Sequence, residues 1–175
     1  HKNLNISERT KIYLINKISE CAGHLGIAGG QYLDLSYEKK KISQKKIVEM
    51  EIKKTGKLFS FCCIAPLILK KRDKREIKKF ESLGANIGLL FQLADDIIDY
   101  KGKSKAAGKI TGKDKKKGKA TLISLIGYKN TIKYANKLIL NINIKLKKYG
   151  SKSSDISKTL DYILNRDKWK KNLNF

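Results

Sequence analysis

The stretch Phe91-Gln92-Leu93-Ala94-Asp95-Asp96-Ile97-Ile98-Asp99 decides the reading of this chain. It lies late in a long helical pattern. Asp73-Lys74-Arg75-Glu76 has the spacing of a capping box and opens that pattern. Ile77, Phe80, Gly84, Ile87, Phe91, Ala94 and Ile98 then fall along one face. The spacing predicts a helix from Lys74 to about Tyr100, roughly 40 Å long at a rise of about 1.5 Å per residue. Asp95 and Asp99 are four residues apart, so their carboxylates share a face. Asp96 projects about 100° away, at the edge of the same site. Three carboxylates in one turn repel one another, and burial makes this worse. A hard divalent cation removes that cost. Magnesium suits the donor set, since it binds through one or two carboxylates together with substrate phosphates. The competing reading is a solvated acidic helix end, although aspartates near a helix C-terminus oppose the dipole.

Working outward, helical pattern fills most of the chain. Ile12, Ile15, Ile18 and Ala22 recur at helical spacing before Gly23 and Gly26. Gly29-Gly30-Gln31-Tyr32-Leu33-Asp34 reads as a break and re-entry. Ser43 is placed to cap a helix through Ile47, Met50 and Lys54, and a second run extends from Thr55 to Leu69. Residues Lys101 to Lys119 are rich in Gly and Lys and read as a loop. Helical pattern resumes at Thr121–Ile126, Ile132–Leu146 and Ile156–Leu164, and Asp167–Phe175 reads as a frayed tail. There is no strand-like alternation and no internal repeat. One proline in 175 residues agrees with this. The expected fold is all-α, one domain over residues 1–175, without a linker.

Composition narrows the function classes. Lys and Arg number 40 against 16 Asp and Glu, a net charge of +24. Such a balance points first to nucleic acid or an anionic surface. However, the only arginines are Arg9, Arg72, Arg75 and Arg166. Nucleic-acid readers favour arginine for bidentate contacts. Here lysines are spread evenly among many Ile and Asn, as AT-rich codons would give. No nucleic-acid partner is expected, whereas a polyanionic ligand remains compatible. Cys21, Cys62 and Cys63 lack metal-ligand spacing, and Cys62 and Cys63 read as buried thiols in a reducing cytoplasm. The apolar run Leu58–Leu69 is too short to span a bilayer and contains Pro66. No signal peptide is visible.

Several residues near the aspartates have the chemistry of a diphosphate site. Gln92 stands about one turn before Asp95 and Asp96. Lys54-Thr55-Gly56 sits at a helix junction, where Lys54 can reach a phosphate oxygen and Thr55 can donate its hydroxyl. Gly108-Lys109, Gly112-Lys113-Asp114 and Gly118-Lys119-Ala120-Thr121 supply glycines for close backbone approach and lysines as point charges.

Taken in order, Gly29-Gly30-Gln31…Asp34, Lys54-Thr55-Gly56, Phe91-Gln92-x-x-Asp95-Asp96-Ile97-Ile98-Asp99, the Gly-Lys loop and Tyr162-Ile163-x-x-Arg166 resemble the farnesyl/geranylgeranyl diphosphate synthase family of trans-isoprenyl diphosphate synthases. The resemblance covers nearly the whole chain. It implies an isoprenoid-synthase helical bundle, present here as its C-terminal half, and a cytoplasmic, homodimeric, Mg2+-dependent prenyltransferase. Such an enzyme condenses an allylic diphosphate with isopentenyl diphosphate.

By position, the resemblance makes Asp95 a direct magnesium ligand, with Asp96 and Asp99 in support. Lys54, Lys109 and Lys119 then bind the allylic diphosphate, and Thr55 and Gln92 lie near the reacting carbons. Gln31 and Asp34 are weaker candidates, with a structural role in a helix break. The family uses two aspartate-rich runs, and this sequence carries the second. The 175 residues are therefore expected not to turn over alone. The alternatives are a non-catalytic helical partner subunit, a basic nucleic-acid-binding helical protein, or a terpene cyclase. The Lys-Thr-Gly and Gly-Lys pattern fits the synthases better than the cyclases.

Overall fold

A computed structural model describes residues 5–106 and 118–172, with side chains over 5–102 and 118–165. The described residues form helices and no strand. The elements are α1 (Glu8–Ala22), α2 (Ile27–Ser36), α3 (Gln44–Glu51), a π-helical turn (Ile52–Gly56), α4 (Lys57–Leu69) and α5 (Lys74–Ala106). They are followed by α6 (Leu122–Ile126), α7 (Tyr128–Leu146), a 3-10 segment (Lys147–Ser153) and α8 (Ser154–Asn172). The all-α expectation holds.

Caps set the helix starts. The Ser7 hydroxyl accepts from the Thr10 N–H, and the Asp73 carboxylate accepts from the Glu76 N–H at 2.9 Å. At α6 the Thr121 and Ser124 side chains each accept from the other's backbone N–H, at 3.1 and 3.0 Å. These contacts satisfy donors that no helical partner can reach. Ser43 caps α3 as its position predicts.

The long helix α5 is the centre of the fold, packed by α4, the π-turn, α7 and α8. Leu83, Ile87, Leu90, Leu93, Ala94 and Ile97 are buried on it. Ile47 and Met50 of α3, Leu138, Ile142 and Leu146 of α7, and Leu160 of α8 complete the core. The α4–α5 pair is antiparallel, joined by the short turn at residues 70–73. The Ser60 hydroxyl donates to the Glu81 carbonyl at 2.8 Å. Further along, a Cβ on Gly88 would stand 2.6 Å from the Gly56 Cα. The two backbones touch there because both residues lack side chains.

Four expectations need correction. Gly29-Gly30 is no break, since α2 runs through it and the true interruption is Gly23–Gly26. Glycine is needed at position 30 because a Cβ would collide with the backbone nitrogen of Lys54. Cys62 is exposed and Cys63 only half-buried. On α4 the buried stripe is Ser60, Ile64 and Ile68, so the apolar run exceeds the face the core covers. The tail continues as α8 to Asn172. Finally, α5 does not stop at Tyr100 but reaches Ala106. The aspartate run therefore lies about two turns inside the helix and not at its end.

On α1, Ile12 is 58% and Ile15 61% exposed, and Tyr32 and Leu35 of α2 are exposed too. Their periodicity makes an apolar face that the described residues leave uncovered.

Candidate functional site

The π-turn is the local device that builds the site. The Lys57 N–H reaches back to the Ile52 carbonyl, five residues away, so α3 and α4 form one helix with a bulge between them. Such bulges recur at functional sites because they re-aim side chains without ending the helix. Here consecutive residues reach different neighbours. Lys54 turns to α2, where its ammonium meets an Asp34 carboxylate oxygen at 2.6 Å. Thr55 turns to α5, where its hydroxyl donates to the Gln92 side-chain oxygen at 3.2 Å. The Gln92 amide nitrogen in turn donates to Asp96 Oδ1 at 3.3 Å. The amide orientation is the one that satisfies both neighbours.

Two glycines permit this arrangement. Gly30 lets α2 come against the backbone of Lys54, one turn before Asp34 on the same helix. Gly88 lets the π-turn lie on α5, one turn before Gln92. The Lys54–Asp34 pair is largely shielded, with side chains 26% and 11% exposed. Partial burial strengthens a charge-assisted bond and fixes the ammonium.

The carboxylates differ among themselves. Asp99 is exposed and Asp95 half-buried. Asp96 is half-buried as well, and burial pushes its carboxyl up to about 7. The Gln92 hydrogen bond opposes that rise, the charge of Asp99 adds to it, the charge of Lys119 opposes it, and Asp95 adds to it. Its Oδ2 is buried without a hydrogen-bond partner. The sequence reading missed a fourth acid, Glu51. It is only 4% exposed, and burial followed by the charge of Asp96 pushes it up to about 8. Its Oε2 also lacks a partner. A signal for it existed: Glu51 falls four residues after the core residue Ile47.

The structure thus brings together Lys54, Thr55, Gln92 and Asp96, with Asp95 and Asp99 on the same turns of α5. Lys119 is exposed, but its charge acts on both Asp96 and Glu51. A hydrogen bond from the Lys39 N–H to the Gly118 carbonyl, 2.8 Å, ties that segment to the loop after α2. Asp34, rated weaker in the sequence, is the direct partner of Lys54. Gln31 is exposed on α2 and is not drawn in. Lys109, with Gly108, Gly112, Lys113 and Asp114, lies outside the described residues, as does the side chain of Arg166.

Magnesium can be tested against this donor set. Among the described residues no three acidic, cysteine or histidine side chains converge closely enough to enclose a metal. What is present is a pair of buried carboxylate oxygens without partners, beside lysines. That fits an ion that takes one or two carboxylates and completes its shell with phosphate and water.

The polyprenyl synthetase family model matches residues 5–163. The chain belongs to the polyprenyl synthetase family. It is 32% identical to the farnesyl diphosphate synthase of Escherichia coli (strain K12), over 93% of this chain and 56% of that protein. It is 29% identical to that of Micrococcus luteus, over 95% and 57%. Among solved structures it resembles a farnesyl/geranylfarnesyl diphosphate synthase from Zymomonas mobilis, with TM-score 0.75, 29% identity, and 90% and 52% of the two chains covered. It also resembles a geranyltransferase from Helicobacter pylori complexed with magnesium and isoprenyl diphosphate, with TM-score 0.75, 26% identity, and 94% and 54% covered. The chain spans a little over half the length of these relatives. Among the described residues no helix is long and apolar enough to cross a membrane.

Proposed function

We propose that this chain forms the allylic-diphosphate half of a trans-prenyltransferase site, in an enzyme that joins an allylic diphosphate to isopentenyl diphosphate. The observation that carries this reading is one π-turn that sends Lys54 to Asp34 on α2 and Thr55 to Gln92 on α5, whose amide reaches Asp96.

Asp34 holds the Lys54 ammonium in place as a fixed positive charge for a diphosphate oxygen. Lys119 and Lys109 supply further charge. Asp95, supported by Asp96 and Asp99, is positioned to hold Mg2+, which when bound would neutralise charge on the departing diphosphate. As the allylic C–O bond breaks, charge on the leaving group grows, and fixed cations favour that state over the ground state. Thr55 and Gln92, hydrogen-bonded to each other, present a polar edge near the reacting carbons without a free base to quench a carbocation. The 175 residues act as one domain in the cytoplasm. The uncovered apolar face of α1 and α2 supports a homodimer, which sedimentation of the purified chain would test.

Catalysis by the chain alone is a separate matter. Isopentenyl diphosphate condensation draws on two aspartate-rich runs in this family's pattern, and these 175 residues contain one. We expect Mg2+-dependent binding of geranyl diphosphate but no turnover of radiolabelled isopentenyl diphosphate. Binding indifferent to Mg2+ would overturn the site. Clear product would overturn the half-site reading.

A further inference from the structure

The helix α7 carries an outer face that the site does not use. Lys129, Lys133, Lys137, Leu140, Ile144 and, just past the helix end, Lys148 follow one another at spacings of three or four residues. That spacing puts them in one line, and all six are exposed. Leu140 is 60% and Ile144 62% exposed. Ala135, Leu138, Ile142 and Leu146, on the other side of the helix, are buried in the core.

The charge of this face is one-sided. Between Asp114 and Asp155 the sequence holds no acidic residue. On other helices lysines have a carboxylate one turn away, as Lys11 has Glu8, Lys17 has Glu20 and Lys158 has Asp155. Lysines spaced four apart with no acid on their helix repel one another. AT-rich codons would enrich lysine throughout the chain, but they would not clear one helix of acids. The cations continue toward α5, where Lys145 and Lys148 share the rim of a cavity with Arg75, Lys78 and Lys79.

Such a face suits an extended anionic partner that also accepts aliphatic side chains. Nucleic acid would meet the lysines, but it is gripped by arginine and stacked aromatics, and this line of residues has neither. An anionic bilayer meets both needs. Its headgroups attract the ammonium groups, while Leu140 and Ile144 enter the boundary beneath them. Lysine stems are long enough to lie along that boundary with their charges outside it. A helix lying on the surface needs no spanning length, and among the described residues no helix has one. The face starts beside the aspartate run, because Tyr128, the first residue of α7, stacks on Tyr100 with ring centroids 5.2 Å apart.

We infer that the outer face of α7 docks this protein peripherally on anionic lipid bilayers. The inference is independent of the diphosphate-site reading, and either can fail without the other.

The test is co-sedimentation of the purified 175-residue chain with vesicles of phosphatidylglycerol and phosphatidylcholine, or of phosphatidylcholine alone, at physiological salt. The wild type is expected to sediment with the anionic vesicles and not with the neutral ones. Leu140→Gln with Ile144→Gln leaves the charge unchanged and should weaken binding at least ~10-fold. Lys133→Gln with Lys137→Gln should weaken it by a similar factor. Lys45→Gln with Lys46→Gln removes as much charge from α3 and should change binding less than ~2-fold. All these positions are exposed, and circular dichroism checks that each variant is folded. Ile144→Trp keeps an apolar anchor, so it should still bind, with its emission shifted to the blue on anionic vesicles relative to the wild-type spectrum. The inference is overturned if the wild type ignores anionic vesicles, or if Ile144→Trp shows no shift. It is also overturned if the Leu140 and Ile144 pair can be replaced without loss, or if the α3 pair matters as much as the α7 pair. Binding of a DNA duplex through Lys133 and Lys137 that ignores Leu140 and Ile144, with vesicles bound no better, would make this a nucleic-acid face and overturn it too.

Discussion

Two lysine-rich regions lie at opposite ends of α5, and they are built differently. At one end Arg75, Lys78, Lys79, Lys145 and Lys148 rim a cavity of about 600 Å3 floored by Phe80, Leu83, Leu146 and Tyr149. No acid lines it. Of these cations, Lys148 lies over the Tyr149 ring. At the other end Lys54 is clamped by Asp34, and Thr55, Gln92 and Asp96 form a chain of hydrogen bonds. The first region holds more charge, and the second holds fewer charges in fixed positions. In a chain of +24, number says little. What sets the second region apart is the carboxylate that orients Lys54 and the carboxylate oxygens without a hydrogen-bond partner beside it.

That contrast can be broken in several ways. The largest effect should come from closing the space that Gly30 leaves for Lys54. Gly30→Leu is expected to cost about 3 kcal/mol and to unseat α2, since backbone cannot yield as a side-chain tip can. Gly102→Leu, where nothing lies within 4 Å, should cost nothing measurable in the same melt.

Next comes pH. Glu51 and Asp96 bind protons more tightly folded than unfolded, so their contribution is fully present below about pH 4. It is lost as pH rises through about 7 for Asp96 and about 8 for Glu51. In EDTA the chain should therefore lose stability steadily between pH 5 and 8.5. Glu51→Gln should flatten much of that fall, and a stability that rises over this range would contradict it.

The lysines separate the two regions by ligand. Lys54→Met should weaken Mg2+–pyrophosphate binding by about 2 kcal/mol, roughly 30-fold, by calorimetry. Lys78→Met, at the cavity, should change it less than 2-fold. Smallest is Asp73→Ala, which removes the cap of α5 at the cavity end. It should cost about 1 kcal/mol of stability and leave diphosphate binding unchanged.

The core of the fold was legible in the sequence because local and global signals agreed. Asp73 with Glu76, and Thr121 with its helix, announce their starts, and α5 shows its buried stripe plainly. The misreadings share one cause. Gly29-Gly30 looked like a break because glycine at a turn and glycine at a close helix contact look alike until the partner backbone is known. Cys62 and Cys63 looked buried because an apolar run does not say which of its faces the core covers. The candidate site was read from residue types and order, through the family resemblance. Its geometry was not. The π-turn that sends Lys54 and Thr55 to different helices has no sequence signature, and Asp34 is twenty residues from the lysine it holds. Glu51 was hidden because, in sequence, it is one more charge in a lysine-rich stretch.

The most direct test of the central claim is titration of the 175-residue chain with geranyl diphosphate, by calorimetry, with Mg2+ and with EDTA, at low and at high salt. The account predicts binding that requires Mg2+, survives salt and is lost in Lys54→Met and Asp95→Asn. Binding that persists in EDTA, fades uniformly with salt and ignores both substitutions would show that bulk positive charge, and not this site, holds the diphosphate.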